Sequence, residues 1–430
     1  MPSSDLADVV GRPMRTLAGL LVVIALPSAL LHSSAGGTVF YLLAILGLVL
    51  ALRAPAQTLQ DLRHVPELWQ ATLLLVGLNL ASVLAHGLPA RSFTLTPLLM
   101  MPLVALIPLS GLVGPKQLYL GSALGAATAG AISLTDRLVT EAARPSGMLN
   151  EIVFPQIALL CALFALAGLF QASGRRASLT WLLAISAGVA ATVAAGARGV
   201  LLGLPLLVAA CWRWPAAPGA AAQRNAKAHR RLLIAVALAM VLAVGAVGHR
   251  LDLDGRMRLA VEEVEAWRSG DVGMRSVAVR LALWQAAFEM TEAHPVFGVG
   301  ASRFRPELAE LQQAGRFPAD TVVYSHAHSL PLNTLAEYGL VGLAVLALAG
   351  WLCWRALRHC PPDLRRVGRA SLLLWLMFGL TNDLFAHQNT LRVIAFSLAL
   401  CAGMGAAAAL RPACGSENRC SARTGADGGT

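Results

Sequence analysis

The sequence predicts an all-α polytopic membrane protein of about twelve transmembrane helices. Three observations predict it: scarce polar surface, repeated apolar runs of spanning length, and positive charge gathered in alternate connections. Of 430 residues, 57% are hydrophobic and 13% charged, with mean hydropathy +0.64. That leaves too little polar surface to cover a water-soluble globule. Apolar runs recur from Thr16 to Leu410, and each needs about 20 residues to cross ~30 Å of hydrocarbon. Backbone groups in lipid must pair within helices or a closed barrel. Residues 232–247 and 340–353 are continuously apolar and Ala/Leu-rich, with no alternation, so helices remain.

Charge sets the orientation, since Lys and Arg collect on the cytoplasmic side. They lie at Arg53 and Arg63, Lys116, Arg175 and Arg176, in 213–231, in 355–369, and from Arg411. Both termini are therefore expected inside. The connections near Ser33, His86, Asp136, Arg198, 250–327 and His387 then face outward. The spans fall at 16–31, 40–52, 68–85, 94–112, 118–134, 152–170, 179–195, 199–212, 232–247, 330–354, 372–384 and 393–410. Arg12 and Arg15 ahead of the first run also suit a secretion signal, but the many spans behind it favour a retained first helix.

The formal charge of +11 is thus a topology signal, and no nucleic-acid partner is expected. Four units follow: helices one to nine in 1–247, an outer loop or lid in 248–327, helices ten to twelve in 328–410, and a disordered cytoplasmic tail in 411–430. No internal repeat relates the halves. Small-residue stretches such as 187–199 suit close helix packing. Of seven cysteines, Cys161, Cys211, Cys353 and Cys401 fall in spans or at their inner ends. Cys360, Cys414 and Cys420 fall in inner segments. No disulfide framework and no zinc-type spacing is present, so no metal is expected.

The outer loop has its own patterning. From Arg280 to Thr291, Leu281, Trp284, Ala287, Phe288 and Thr291 share one helical face, and Gln285, Glu289 and Glu292 another. This predicts an amphipathic helix at the membrane surface. His294 and Pro295 end it, and Gly298 and Gly300 predict a flexible turn before Arg303. Arg280 falls on the apolar stripe, where it either snorkels to ordinary lipid phosphates or clamps a phosphorylated lipid in bidentate fashion. Its being Arg says little, because Lys116 and Lys227 are the chain's only lysines. Arg198, in Ala-Gly-Ala-Arg-Gly, either anchors an outer hairpin or makes a second anion contact.

The stretch Ser325-His-Ala-His-Ser-Leu-Pro-Leu-Asn-Thr-Leu-Ala-Glu-Tyr-Gly runs from the loop into the tenth helix. Ser329 is placed to cap that helix, with Pro331 in its first turn. His328 then sits just before the helix N-terminus, whose partial charge disfavours imidazolium and attracts anions. It is either an interfacial structural histidine or a general base beside a phosphate.

This stretch, with Arg280-Leu-Ala-Leu-Trp and His294-Pro-Val-Phe-Gly-Val-Gly-Ala-Ser-Arg-Phe, resembles the O-antigen ligase and polymerase superfamily. The resemblance implies a GT-C-like glycosyltransferase of the bacterial inner membrane with its active site facing the periplasm. Such a ligase moves O-antigen from undecaprenyl pyrophosphate to the lipid A core of lipopolysaccharide, without cofactor or metal. It implies His328 and Arg280 as catalytic residues and Arg198, Arg258, Arg303, His326 and Arg144 as further pyrophosphate contacts. Glu337 and Gly339 match the family helix, Glu337 more as an orienting than an acid–base group. O-antigen polymerase and protein O-oligosaccharyltransferase are rivals within that chemistry, and a lipid transporter outside it. The single long outer loop favours the ligase. The oligomeric state is left open.

Overall fold

A computed structural model describes residues 4–89, 107–142, 144–212, 258, 261–265, 276–317 and 324–410. Most of the expected span 94–112, the span 232–247, the basic cluster 213–231, parts of the outer loop, and the tail 411–430 lie outside the described residues.

The described chain is helical, in order α1 (Ser4–Leu31), α2 (Ser33–Arg53), α3 (Pro55–Arg63), α4 (Pro66–Ala85), α5 (Pro115–Val139), α6 (Val153–Gln171) and α7 (Arg175–Ala195). There follow α8 (Leu204–Trp212), α9 (Ser276–Ala293), α10 (Phe304–Gln313), α11 (Leu330–Ala356), α12 (Pro362–Thr381) and α13 (Gln388–Leu410). Eight helices among the described residues are long and apolar enough to cross a membrane. Their outward faces are greasy: Leu52 and Leu84 are each 74% exposed, a wasteful arrangement in water but not in lipid.

The core is organised around α6, which is buried along nearly its whole length among α1, α5, α7, α12 and α13. Its sequence has no polar face to turn outward, and Gln156 and three aromatic or sulfur side chains, Phe154, Phe164 and Cys161, are all enclosed. A helix apolar all round belongs inside the bundle. Around it, α1 buries Ala18, Val22, Ala25 and Ala29 at helical spacing and packs on α5. The small residues expected to mediate close approach do so: a methyl on Gly188 of α7 would stand 2.9 Å from the Ala126 methyl of α5.

Some boundaries differ from those the sequence predicts. The expected span 199–212 divides into a single turn, Arg198–Leu201, and the nine-residue α8. The expected span 372–384 is the second half of α12, whose first turns carry Asp363, Arg365, Arg366 and Arg369. Cys161, Cys360 and Cys401 are buried free thiols.

Helices α4 and α11 pack side by side although far apart in the chain. At one end of the pair, the buried Glu67 carboxylate accepts from Arg358 at 2.7 Å and lies 3.8 Å from Arg355. Removing one partner of a buried pair leaves an uncompensated charge.

Candidate active site

The site forms where α9, α11 and the connections before α8 and α13 meet. It is built on a backbone crossing. Helix α11 breaks at Gly339, whose φ is 63°, and this opens carbonyls that a regular helix would consume. The segment 295–300 takes them: Val299 N–H donates to the Ala336 carbonyl at 2.9 Å and Gly300 N–H to that of Glu337 at 3.0 Å. In return, Leu340 N–H donates to the Pro295 carbonyl at 2.9 Å and Val341 N–H to that of Val296 at 3.2 Å. A methyl on Gly298 would overlap the main chain of Glu337 and Tyr338, and one on Gly339 that of Val296 and Phe297.

The flexible turn expected at Gly298 and Gly300 is therefore a rigid one. Both glycines have positive φ, and the bonds of Pro295, Val296, Val299 and Gly300 lock the segment to α11. Glu337 completes the lock, its carboxylate accepting from the amides of Ser302 and Phe304. These bonds tie the start of α10 to α11.

Helix α9 forms where a helix is predicted, and it also buries a face against protein. Val279, Ala282, Leu283, Ala286, Ala287 and Met290 are enclosed against α10 and α11, whereas Phe288 is 52% exposed. Of the stripe expected at the membrane surface, Phe288 is exposed and Ala287 is buried, so the protein-facing side lies beside that stripe. The helix is apolar on several sides, and close contact with α11 selects the Ala-rich face, which lets the backbones approach. Glu289 lies on the other side, bonded to Gln285 at 3.2 Å and Arg316 at 3.2 Å.

This placement brings Trp284 to the start of α11, where its indole N–H donates to the Ala327 carbonyl at 3.0 Å. Asn333 holds the same residue from the other side, its Oδ1 accepting from Ala327 N–H at 3.1 Å while its own N–H donates to the Ser329 carbonyl at 2.8 Å. Ser329 occupies the N-cap position, but its side chain makes no capping bond. The expected side-chain cap is absent, and Asn333 ties down the residue ahead of His328 instead.

Between these pins His328 is left-handed, with φ 51°, an uncommon state for a non-glycine residue and one found at functional sites. Its ring stands 4.4 Å from that of His326 and 5.5 Å from that of Tyr324, centroid to centroid. His387, from the connection after α12, comes within 5.9 Å of His326. Asp383 shapes that connection by accepting from Phe385 N–H at 3.0 Å. Although three imidazoles converge, no three metal-ligating side chains among the described residues could hold an ion.

The cluster is half-buried and lies beside a positive charge. Burial, then the Arg280 charge and His387, pull the His328 imidazole down to about 4. Burial, His328 and His387 pull His326 down to about 3, and burial lowers His387. All three rings are therefore neutral at pH 7. Each offers a buried nitrogen with no hydrogen-bond partner: Nδ1 of His328, Nε2 of His326 and Nε2 of His387. Such atoms are open to a water, a ligand or a reacting proton.

Arg280 stands beside them, its guanidinium lowered from the usual arginine value first by burial, then by the charges of Arg198 and Arg144. Like charges within electrostatic reach are costly unless an anion joins them. Arg198 reaches this place on the single turn after the left-handed Gly196 that ends α7. A methyl on Gly199 beside it would overlap Thr381 at the end of α12. Arg144 arrives from the connection after α5, where its Nε donates to the Ala195 carbonyl at 3.2 Å and its Nη1 pairs with Glu151 at 2.6 Å.

Five sequence-predicted residues are thus brought together: His328, His326, Arg280, Arg198 and Arg144. Arg303 is held elsewhere, at the start of α10, by Glu307 at 2.6 Å and Glu310 at 3.6 Å. Its Glu307 partner at i+4 was a legible signal for that pairing. Arg258 is exposed, and its neighbours in the chain lie outside the described residues. His387 was not singled out from the sequence. Its only mark there is a histidine in an outward connection.

Residues 178–347 match a family model described as O-antigen ligase. The matched stretch opens in α7, includes Arg198, Arg280, His326 and His328, and ends in α11 beyond Gly339. Arg144 and His387 lie outside it. No curated protein matches the chain. The match and the eight apolar helices together describe a multi-pass membrane protein.

Proposed function

The chain is a member of the O-antigen ligase and polymerase superfamily over the stretch the family model covers, and from that premise we propose that it is an O-antigen ligase. It transfers O-antigen polysaccharide from undecaprenyl pyrophosphate to the lipid A core, as a GT-C-like enzyme of the inner membrane. Both termini are cytoplasmic and the site faces the periplasm. Residues 248–327 act as a lid between helices one to nine in 1–247 and the last three spans in 328–410, with 411–430 as a cytoplasmic tail.

The observation that carries this reading is His328, held left-handed ahead of α11 against Tyr324 and His326, with Arg280 within electrostatic reach of it and Arg198 of Arg280. A core-sugar hydroxyl attacks the sugar carbon bonded to pyrophosphate, and its proton passes to His328. The carbon–oxygen bond to pyrophosphate breaks with its electron pair on the leaving group, and the sugar carbon inverts. Arg280 and Arg198 hold that leaving charge, with Arg144 and His326 at the rim. Arg303, held by two glutamates, and Arg258 are the outlying members of the same binding proposal.

The test is transfer by the purified chain in lipid, given three acceptors in parallel: lipid A core, a second lipid-linked repeat, and an acceptor protein. Elongation of the lipid-linked repeat alone would make the chain a polymerase, and protein glycosylation an oligosaccharyltransferase. Appearance of donor in the opposite leaflet with no glycosidic bond formed would make it a transporter.

Two expectations follow from the geometry. Arg280→Lys keeps the charge but loses the planar fork, and should lower kcat/KM by about 10- to 100-fold, the worth of one charge-assisted hydrogen bond. A wild-type rate would refute bidentate holding. The base must be unprotonated, and its folded value lies near 4, so the rate should stay level from neutral pH to about 5 and decline only below. An acid limb centred at the ordinary histidine value, about 6.5, would mean the imidazole is not desolvated.

A further inference from the structure

Helix α13 carries one arginine, and its surroundings do not match those of the site above. Arg392 lies one turn inside the end of α13 that bears His387, about 6 Å along the axis from Gln388 at 1.5 Å per residue. It is 7% exposed and belongs to an apolar helix of membrane-spanning length. Its donors meet only neutral groups. Nη1 donates to Asn389 Oδ1 at 3.3 Å, and Nη2 donates to Gln388 Oε1 at 3.0 Å and to the Tyr41 hydroxyl at 3.4 Å. Its guanidinium carbon stands 5.4 Å from the Tyr41 ring centroid. Nε is buried with no partner. No carboxylate pairs with it among the described residues.

A charged group at this depth with neutral partners only is costly, and intramembrane arginines are ordinarily compensated. The space is kept for it: Gly37 of α2 has no side chain there, and a methyl at that position would stand 3.1 Å from Nη1. The way in is also visible. Tyr41 is 52% exposed and Gln388 is exposed, so the Nη2 edge borders the lipid-facing seam between α2 and α13.

We propose that this seam binds a lipid-borne phosphate ester in the leaflet adjoining the histidine cluster, with Arg392 as its counter-charge and Tyr41 and Gln388 at its mouth. A phosphate offers the paired oxygens a guanidinium fork is shaped for. It lies at headgroup depth, and a guanidinium one turn inside a helix end reaches that depth by snorkelling. The site is separate from the histidine cluster, because Arg392 bonds Asn389, Gln388 and Tyr41, none of which belongs to that cluster.

The test uses the purified full chain in lipid-free detergent, titrated with phosphatidylglycerol, with lipid A, or with diacylglycerol as a phosphate-free control. Binding is followed by thermal melting and native mass spectrometry. A phosphate-bearing lipid should raise the wild-type melting temperature and remain bound by mass, and diacylglycerol should do neither. R392Q should bind about tenfold or more weakly, and so should Gly37→Val, which crowds the guanidinium without removing it. Without lipid, R392Q should melt no lower than wild type, since it loses an uncompensated charge. Preference between phosphatidylglycerol and lipid A identifies the source of the phosphate. Equal lipid affinity in wild type and R392Q would overturn the proposal. So would R392Q melting well below wild type without lipid, which would make the arginine a strut for Tyr41.

Discussion

His328→Ala should lower the rate of polysaccharide transfer by about 10² to 10⁴, the usual loss when a general base is removed. The effect should fall on kcat, because the imidazole takes its proton as the acceptor oxygen attacks and does little for the resting complex. The residue's backbone complicates a single variant, since alanine is less at ease than histidine at φ 51°. Asparagine tolerates that conformation, so His328→Asn should melt like wild type and still lose the rate. His387→Gln is the informative neighbour. Its ring faces His326 and its charge bears on His328, so it should alter the low-pH limb more than the plateau. If His328→Asn transferred at the wild-type rate in saturating acceptor, the proton would have to go elsewhere.

Gly298→Ala and Gly339→Ala should be nearly as damaging by a different route. Each new methyl meets main chain and not a yielding side chain, and each residue has positive φ. The backbone penalty and the overpacking together amount to about 2–5 kcal/mol. Since segment 295–300 holds α9 and the start of α11 in register, transfer and melting temperature should drop together, unlike the split expected at His328. Wild-type melting in both variants would mean that the crossing yields easily.

Much of this was legible beforehand. Apolar runs located the long helices because hydrocarbon thickness dictates their length, and the Leu330 helix was placed nearly to the residue. His328 and Arg280 stood out as a histidine before a helix start and an arginine among apolar residues, but that pattern left each a structural alternative, and their proposed roles come from the family resemblance. The break at Gly339 was hidden. It arises from backbone bonds to a segment some 40 residues upstream, and main-chain pairing leaves no side-chain signature beyond the glycines themselves. The phase of α9 was hidden too, for an Ala-rich helix has no single apolar face until a neighbour chooses one. Arg392 fell just ahead of the predicted span 393–410, so its burial could not be read from the boundary drawn.

The Glu67 pairing with Arg358 bears on how the chain is made. Partners roughly 290 residues apart are separated during synthesis by about 15 to 60 s at 5–20 residues per second. Throughout that interval Glu67 must stay near the aqueous edge, and α4 lacks the neighbour that packs along it. The final docking of α11 on α4 is thus a late, post-insertion event, and a ribosome stalled before Arg358 would leave α4 open to early turnover by membrane proteases.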